Sequence, residues 1–531
     1  MFLPTFSMAS DSRSHLQITG IRSALEKRVL PKLRFLESTL QPINRLPKDI
    51  FALIPQFFAS EREDYDAFPT NTYLITMTHV CRSWRTVLLS TPALWTQINF
   101  SISKSKQATA FLDRSGEQLI DVYQFIENEN SAEPFLPTTL RNIHRLRRLE
   151  IISTHPHLER VLKLFTRSAP ELKHLDIMNH LSSTDRDMEF HDTTFGGQLP
   201  KLLSLSLHCL RTDFRAFNFP SLARICFATE TRTSVQDLTS FFERCPLLEF
   251  IQICLFYTPQ PPTPPPHKRV RLAALKELKL DGTASSCGLL DHLILPKCTE
   301  MTLRGRLTAE EFDTHSDPAP QIHPSSIDHL PVTRGITNAE AMPNSCILSG
   351  PNGRLRFRCS RGDRDNFDAN YFAFFSPTPA SEIRELSVGA RIELGNGRKP
   401  WEQTAAHVRG AFGVLVKVEY LTIFNCKTEP LFAALGATTD DPIPLPELRK
   451  LTIYVGYGDL DISTLVRCAE ARFGRSRPLG EVTIVFANEL EADMVPAVES
   501  LRGFVGELNY SVGETPELKW DSESERNPWA D

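Results

Sequence analysis

The chain has 531 residues, of which 41% are apolar and 23% charged, with a formal net charge of -5. That is ordinary globular composition, with length for two or more domains. It carries no long basic run, the electrostatic footprint of nucleic-acid binding, and no window nears the roughly eighteen uninterrupted apolar residues of a membrane span. The opening "MFLPTFSMASDSRSH" lacks the basic region and long apolar run of a secretory signal. Eleven cysteines are scattered without a C-x-x-C pair. Free thiols in a reducing compartment are therefore expected, rather than a disulfide framework or zinc ribbon. These features predict a soluble intracellular protein, cytoplasmic or nuclear.

Residues 1–42 read as an N-terminal helical segment. Ile18, Ile21, Leu25, Val29, Leu33, Leu36, Leu40 and Ile43 recur at steps of three and four and describe one helix face. Pro31 should kink or split it, and the face is expected to pack on the domain behind it. Next, Pro47 suits the first helical position and Asp49 the first turn. Ile50, Phe51, Ile54, Phe57 and Phe58 make an apolar stripe. Residues 59–72 are polar and acidic and read as a loop. Val80, Trp84, Val87 and Leu88 then share a helix face, with Cys81, Arg85 and Leu88 as an adjoining row. Pro92 ends that helix, and Trp95 can fold back onto it. Residues 43–100 thus make about three short helices, marginal alone, with more apolar surface than they can bury among themselves. Pattern alone favours packing of that surface against the rest of the chain; docking of a partner is the other reading.

The order of residues shifts that balance. "LPKDIF", "VCRSWR" and "STPALW" resemble the F-box in the form typical of large fungal F-box families. Its pattern runs L-P-x-E-[IL]-[LF], then V-C-[RK]-x-W-R, then S-T-P-x-L-W. Leu46, Pro47, Asp49, Ile50 and Phe51 match the first element, with Asp for the commoner Glu. Val80, Cys81, Arg82, Trp84 and Arg85 match the second; Ser90, Thr91, Pro92, Leu94 and Trp95 match the third. The acidic insert between the first two elements departs from the pattern but only lengthens a loop. The resemblance implies docking on the Skp-type adaptor, and through it the cullin, of an SCF-type ubiquitin ligase. The rest of the chain would present a protein substrate. Leu46, Pro47, Ile50, Phe51, Ile54, Val80, Cys81, Trp84, Leu88, Pro92 and Trp95 are the implied partner-binding residues, shared between a small core and the adaptor. Trp84 and Trp95 would hold the helices in the shape the adaptor binds.

Beyond residue 100 a phrase recurs. "APELKHLDIMN" is echoed by "LPKLLSLSLHC", "FPSLARICFAT", "CPLLEFIQICL", "LPKCTEMTLRG" and "LPELRKLTIYV", with weaker copies in "LRRLEIIS", "LKELKLDG", "IRELSVGA", "VEYLTIFN" and "LGEVTIVF". Alternation within each, as at Leu205 and Leu207, predicts a short strand. Stretches such as "HLERVLKLFTRS", "SVQDLTSFFER" and "DISTLVRCAEARFG" predict helices between them. A strand and crossover helix at this period is leucine-rich-repeat architecture. The expected fold is therefore α/β (α+β overall): a small helical F-box at 43–100, then an irregular leucine-rich-repeat solenoid over 101–510 with a curved parallel sheet. The usual Asn or Cys after the last strand leucine is matched only at Cys426. A doubly wound α/β domain is the alternative.

Several segments interrupt the array. The proline-dense 258–269 should be an extended, exposed loop. Residues 310–345, rich in proline and histidine, predict a disordered insertion, with His315, His323 and His329 as solvated loop histidines rather than metal ligands. "GPNGRLRFRCSRGD" (350–363) predicts a turn flanking a strand; holding a phosphate or an acidic peptide is its other reading. "ELGNGRKPW" predicts a hairpin turn at Asn396-Gly397, and 511–531 a polar C-terminal tail. No G-x-S-x-G, H-E-x-x-H, P-loop or dinucleotide fingerprint is present. The expectation is thus a non-enzymatic adaptor with no cofactor and no metal, binding neither nucleic acid nor membrane. Its rivals are a leucine-rich-repeat scaffold outside any ligase, and an enzyme whose site is assembled from loops.

Overall fold

The computed structural model describes residues 41–60, 72–100, 105–126, 135–153, 158–179, 189–229, 233–255, 269–282, 289–306, 329–342, 345–360, 379–389, 405–424, 428–436, 442–455, 460–487 and 494–513, with isolated positions at 19, 22–23, 25–30, 32–33 and 327. The chain divides into two compact units, Met1–Gln124 and Phe125–Asp531. No helix among the described residues is long and apolar enough to cross a membrane.

The first unit contains α1 (Lys48–Ser60), α2 (Thr72–Thr78), α3 (Arg82–Leu89), a 3-10 turn (Pro92–Trp95), β1 (Gln97–Asn99), α4 (Ser105–Arg114) and β2 (Ile120–Ile126), whose last residues lie past the division. β1 and β2 pair in parallel, with Ile98 opposite Val122. The expected domain end at residue 100 is too early. Trp95 is buried edge-on to Phe111 at 4.7 Å, and the Arg114 guanidinium lies 4.6 Å from its ring centroid. The tryptophan's packing partners come from α4, so that helix belongs to the same core. The N-terminal face also differs from expectation. Leu25, Val29 and Leu33 are exposed rather than packed on a domain.

The second unit alternates strands with short helices. In chain order these are α5 (Leu136–Arg141), β3 (Leu146–Ser153), α6 (Leu158–Lys163), β4 (His174–Asn179), β5 (Glu189–Phe190), β6 (Ser204–His208), β7 (Arg211–Thr212), β8 (Arg224–Thr229), α7 (Val235–Glu243), β9 (Phe250–Leu255), β10 (Val270–Arg271), β11 (Glu277–Gly282), β12 (Leu293–Ile294), β13 (Glu300–Arg306), β14 (Asn338–Met342), β15 (Ser345–Gly350), β16 (Gly353–Ser360), β17 (Glu385–Gly389), α8 (Ala405–Val414), β18 (Tyr420–Phe424), α9 (Glu429–Leu435), β19 (Lys450–Val455), α10 (Ile462–Gly474), β20 (Leu479–Phe486), α11 (Val495–Glu499) and β21 (Val505–Val512). The predicted helices within 157–168, 234–244 and 461–474 form as α6, α7 and α10. Ser234 caps α7 by accepting from the Asp237 N–H, and Asp461 caps α10 by accepting from the Thr464 N–H.

Every one of the recurring phrases forms a strand, and the result is a large, mostly parallel sheet. β3, β4, β6, β8, β9, β11 and β13 lie side by side in parallel. β17 to β21 do the same. One register runs through them. Leu175, Leu205, Ile225 and Ile251 are neighbours on one face, and Asp176, Ser206, Cys226 and Gln252 on the other. The apolar set is fully buried, while β4 and β6 keep their alternate residues partly open. Sheets buried on both faces read as continuous apolar runs, so this alternation marks one face as core and the other as polar.

Contacts between successive units recur at spacings from 21 to 35 residues. Lys201 pairs with Glu171 at 2.6 Å and the Asn179 amide donates to the Cys209 carbonyl at 3.4 Å, each 30 residues apart. Arg472, 1% exposed, donates to the Pro444 and Leu445 carbonyls at 2.8 and 3.0 Å. Leu445 is buried at a positive φ of 46°, a strained position for a residue with a Cβ. The buried guanidinium thus holds the turn that feeds β19. Arg472→Met is expected to cost about 1 to 3 kcal/mol by orphaning those carbonyls, read as a lowered urea midpoint at unchanged m-value.

The centre of the sheet departs from expectation. β14, β15 and β16 form an antiparallel meander. It enters in reverse: the last strand, β16, lies beside β13, and the first, β14, lies beside β17. Two glycines fix it. A Cβ on Gly353, whose φ is +131°, would sit 2.1 Å from the Thr299 carbonyl oxygen, and one on Gly350 would sit 2.3 Å from that of Gly335. The insertion expected at 310–345 is therefore too long. Ile327, Leu330, Val332, Ile336, Ala339 and Ala341 are buried, because β14 supplies the sheet edge on which β17 pairs. His329 is half-buried, with Nε2 at 3.1 Å from the Leu293 carbonyl, not solvated. The turn reading of 350–363 holds over its described part, where Pro351 and Asn352 link β15 to β16. The tail expected from 511 begins later, since β21 runs to Val512. His315, His323, the proline-dense 258–268 and the Asn396-Gly397 turn lie outside the described residues.

Candidate partner-docking site

The three motif elements of the first unit build a small core and leave an apolar surface. α1 starts at Lys48, after Pro47, and its Phe51 N–H donates to the Pro47 carbonyl at 2.9 Å. Its inner side buries Phe51, Ala52 and Pro55. Phe51 meets Trp84 edge-on at 4.7 Å, and the Trp84 Nε1–H donates to Asn44 Oδ1 at 2.5 Å. Trp84 thereby ties the chain before α1 to α3. Cys81 caps α3, its Sγ accepting from the Trp84 N–H at 3.5 Å. Trp95 reaches back as expected and donates through Nε1 to the Leu88 carbonyl at 2.9 Å.

The outer side of α1 is different. Leu46, Ile50, Leu53 and Phe57, with Val80 before α3, are 38% to 60% exposed. Ile50, Leu53 and Phe57 fall at i, i+3 and i+7 of α1, a single helical stripe, and Leu46 lies in extended backbone just before the helix. The structure thus splits the predicted partner-binding set. Leu46, Pro47, Ile50, Val80 and Pro92 are exposed, and Ile54, Cys81 and Trp84 are half-buried. Phe51, Leu88 and Trp95 are buried, their side chains forming the unit's own core. Leu53 was missed from the set, although its spacing from Ile50 and Phe57 is readable in the sequence.

A second cluster lies on the polar face of the large sheet. Glu150 and Asp176 are opposite each other on β3 and β4, with Arg148 3.6 Å from Glu150. Ser206 Oγ is hydrogen-bonded to His208 Nε2, and Asp176 Oδ1 lies 3.8 Å from that same nitrogen. A catalytic Ser–His–Asp arrangement needs the carboxylate on the opposite ring nitrogen, so this trio is not one. Burial, and then the Glu150 charge, push the Asp176 carboxyl up to about 7 against Arg148 and the Ser206 hydroxyl, which lower it. The folded chain therefore retains a proton that the unfolded chain has lost above its ordinary 3.8. The stability this contributes is complete below the unfolded pKa and lost as pH rises through the folded one. Asp176→Asn should accordingly raise the melting temperature at pH 8 and change it less at pH 5; the same shift at both would dismiss the retained proton.

Among the described residues, no group of three or more His, Cys, Asp or Glu is placed to hold a metal ion. Compared with protein-family models and with curated proteins, the chain matches none.

Proposed function

We propose that this chain recruits a protein substrate to an SCF-type ubiquitin ligase. The first unit is an F-box that docks the Skp-type adaptor, and the second is an irregular leucine-rich-repeat array that presents the substrate. The observation that carries the reading is the exposed stripe Ile50, Leu53 and Phe57 of α1, with exposed Leu46 just before it, in the segment of the first of three ordered F-box-like motifs. Large apolar side chains left open together on a soluble unit mark an interaction surface. Burying them removes apolar area from water at about 25 cal/mol per Å². The one-sided burial of strands such as β4 and β20 supports a repeat array over a doubly wound sheet. An adaptor transfers no bond, which fits a chain read through surfaces rather than through a catalytic cluster.

The test is capture of purified Skp-type adaptor by the full chain, with the chain lacking 43–98 as reference. Stable capture by the full chain alone is expected. Equal capture by both would leave the repeat array as a scaffold outside any ligase.

A further inference from the structure

Gln252 lies on the polar face of β9, between Cys226 of β8 and Lys279 of β11. The next residue of that row is Thr302 of β13, opposite Lys279. Gln252 is 8% exposed, yet its carboxamide makes no hydrogen bond among the described residues. Neither amide atom is sealed from the face of the sheet. Thr302 is half-buried, and its hydroxyl is likewise unused among the described residues. Their neighbours in the row differ. Ser206 is bonded to His208, and Lys279 is 2.8 Å from Glu277. Polar side chains covered to this degree are normally bonded, and a covered amide without a partner costs stability. Gln252 thus holds a donor and an acceptor ready on the polar face, at the expense of the fold.

We propose that Gln252 and Thr302 dock an extended protein segment in the polyproline II conformation. A carboxamide carries the same paired N–H and C=O as a peptide group, so Gln252 donates to one backbone carbonyl and accepts from a backbone N–H. The spacing selects the conformation. Gln252 and Thr302 are two strands apart, about 9.6 Å. Polyproline II repeats every three residues, about 9.3 Å, so a segment crossing the strands presents equivalent carbonyls at both positions. A β-extended segment repeats at about 6.6 Å and meets only one of them. The polyproline II backbone has no internal hydrogen bonds, which leaves its carbonyls free to accept. Charge does not choose the partner, because Lys279, the cation between the two anchors, is already paired with Glu277. A nucleobase pairs with one carboxamide and does not reach Thr302. The inference deepens the function proposed above by naming a substrate class for the second unit, and it rests on that reading only for calling the segment a substrate.

The experiment is fluorescence anisotropy with the full chain and a labelled, uncharged dodecapeptide of Pro-Ala-Ser repeats. The control is a Gly-Ala-Ser peptide, which does not hold the polyproline II conformation; oligoadenylate and a linear glucose oligosaccharide are further arms. Saturable binding of the proline peptide is expected, little changed by added salt, and weaker for the flexible control by about fivefold or more. Gln252→Met keeps the side-chain length without the amide and should weaken binding about tenfold. Thr302→Val should weaken it about threefold. Gln252→Met should also melt at or above the temperature of the unmodified chain, because it removes a covered amide that has no partner. Adaptor capture by both variants should equal that of the unmodified chain, which separates failure of this site from failure of the F-box reading. Absence of peptide binding, insensitivity to Gln252→Met, a lower melting temperature for that variant, or tighter binding of the oligoadenylate or oligosaccharide would each overturn the proposal.

Discussion

Ile50→Asp is expected to abolish capture of the Skp-type adaptor while leaving the chain folded. Ile50 lies within the exposed stripe of α1 and is 45% open to solvent, so a carboxylate there stays hydrated in the free protein. In the docked state it would be buried without a partner, and a central anchor of this kind is worth roughly 2 to 4 kcal/mol. That corresponds to a loss of about thirtyfold to a thousandfold in affinity. Leu53→Asp should act alike, since it lies three residues on along the same stripe. Pro92→Ala, exposed but on the 3-10 turn, should matter far less. Trp84→Ala makes a contrasting control. It removes the bond to Asn44 and the edge contact with Phe51, so any loss of capture should come with loss of helical circular dichroism. A folded Ile50→Asp chain that captures the adaptor normally would end the F-box reading.

How much of this could be read before the structure depends on whether the signal is local. The strand phrases carry theirs within a few residues, a proline followed by alternating apolar positions, and all of them form strands. The caps at Ser234 and Asp461 are local in the same way. The two faces of α1 were not separable. Phe51 points into the unit while Ile50, one residue earlier, stays exposed, and both are merely apolar in the sequence. Which side is inner is decided by Trp84, more than thirty residues away. The end of the first unit is hidden for the same reason, since it depends on Trp95 meeting Phe111. The meander was obscured because β14, "NAEAM", has only alanines to bury, and its pairing with β17 spans 47 residues from Asn338 to Glu385. The elevated Asp176 carboxyl is legible only once folding buries it and register puts Glu150 opposite it.

The register itself is open to a direct test at two places. Leu205 is buried between Leu175 and Ile225, and Leu451 between Leu421 and Val482. Truncating either to alanine removes apolar area and leaves a cavity that packed neighbours fill only in part. A cost of about 2 to 5 kcal/mol is expected for each, seen as a lower urea midpoint. Their immediate neighbours should behave in the opposite way, because a one-residue step along a strand changes the face. Thr452 lies between Thr422 and Thr483 on the polar face, and Thr452→Arg should leave the midpoint almost unchanged, the long side chain extending into solvent. Ser206→Arg carries a second readout. It introduces a guanidinium opposite Asp176, which favours the ionised carboxylate and should lower its pKa. The fall in stability between about pH 5 and pH 8 should therefore flatten in Ser206→Arg and remain in Leu205→Ala. If Thr452→Arg and Ser206→Arg unfold the chain while the two leucine truncations are tolerated, the core lies on the other face of the sheet. Arg354 of β16, one residue out of phase with the buried Leu355, would then point inward too.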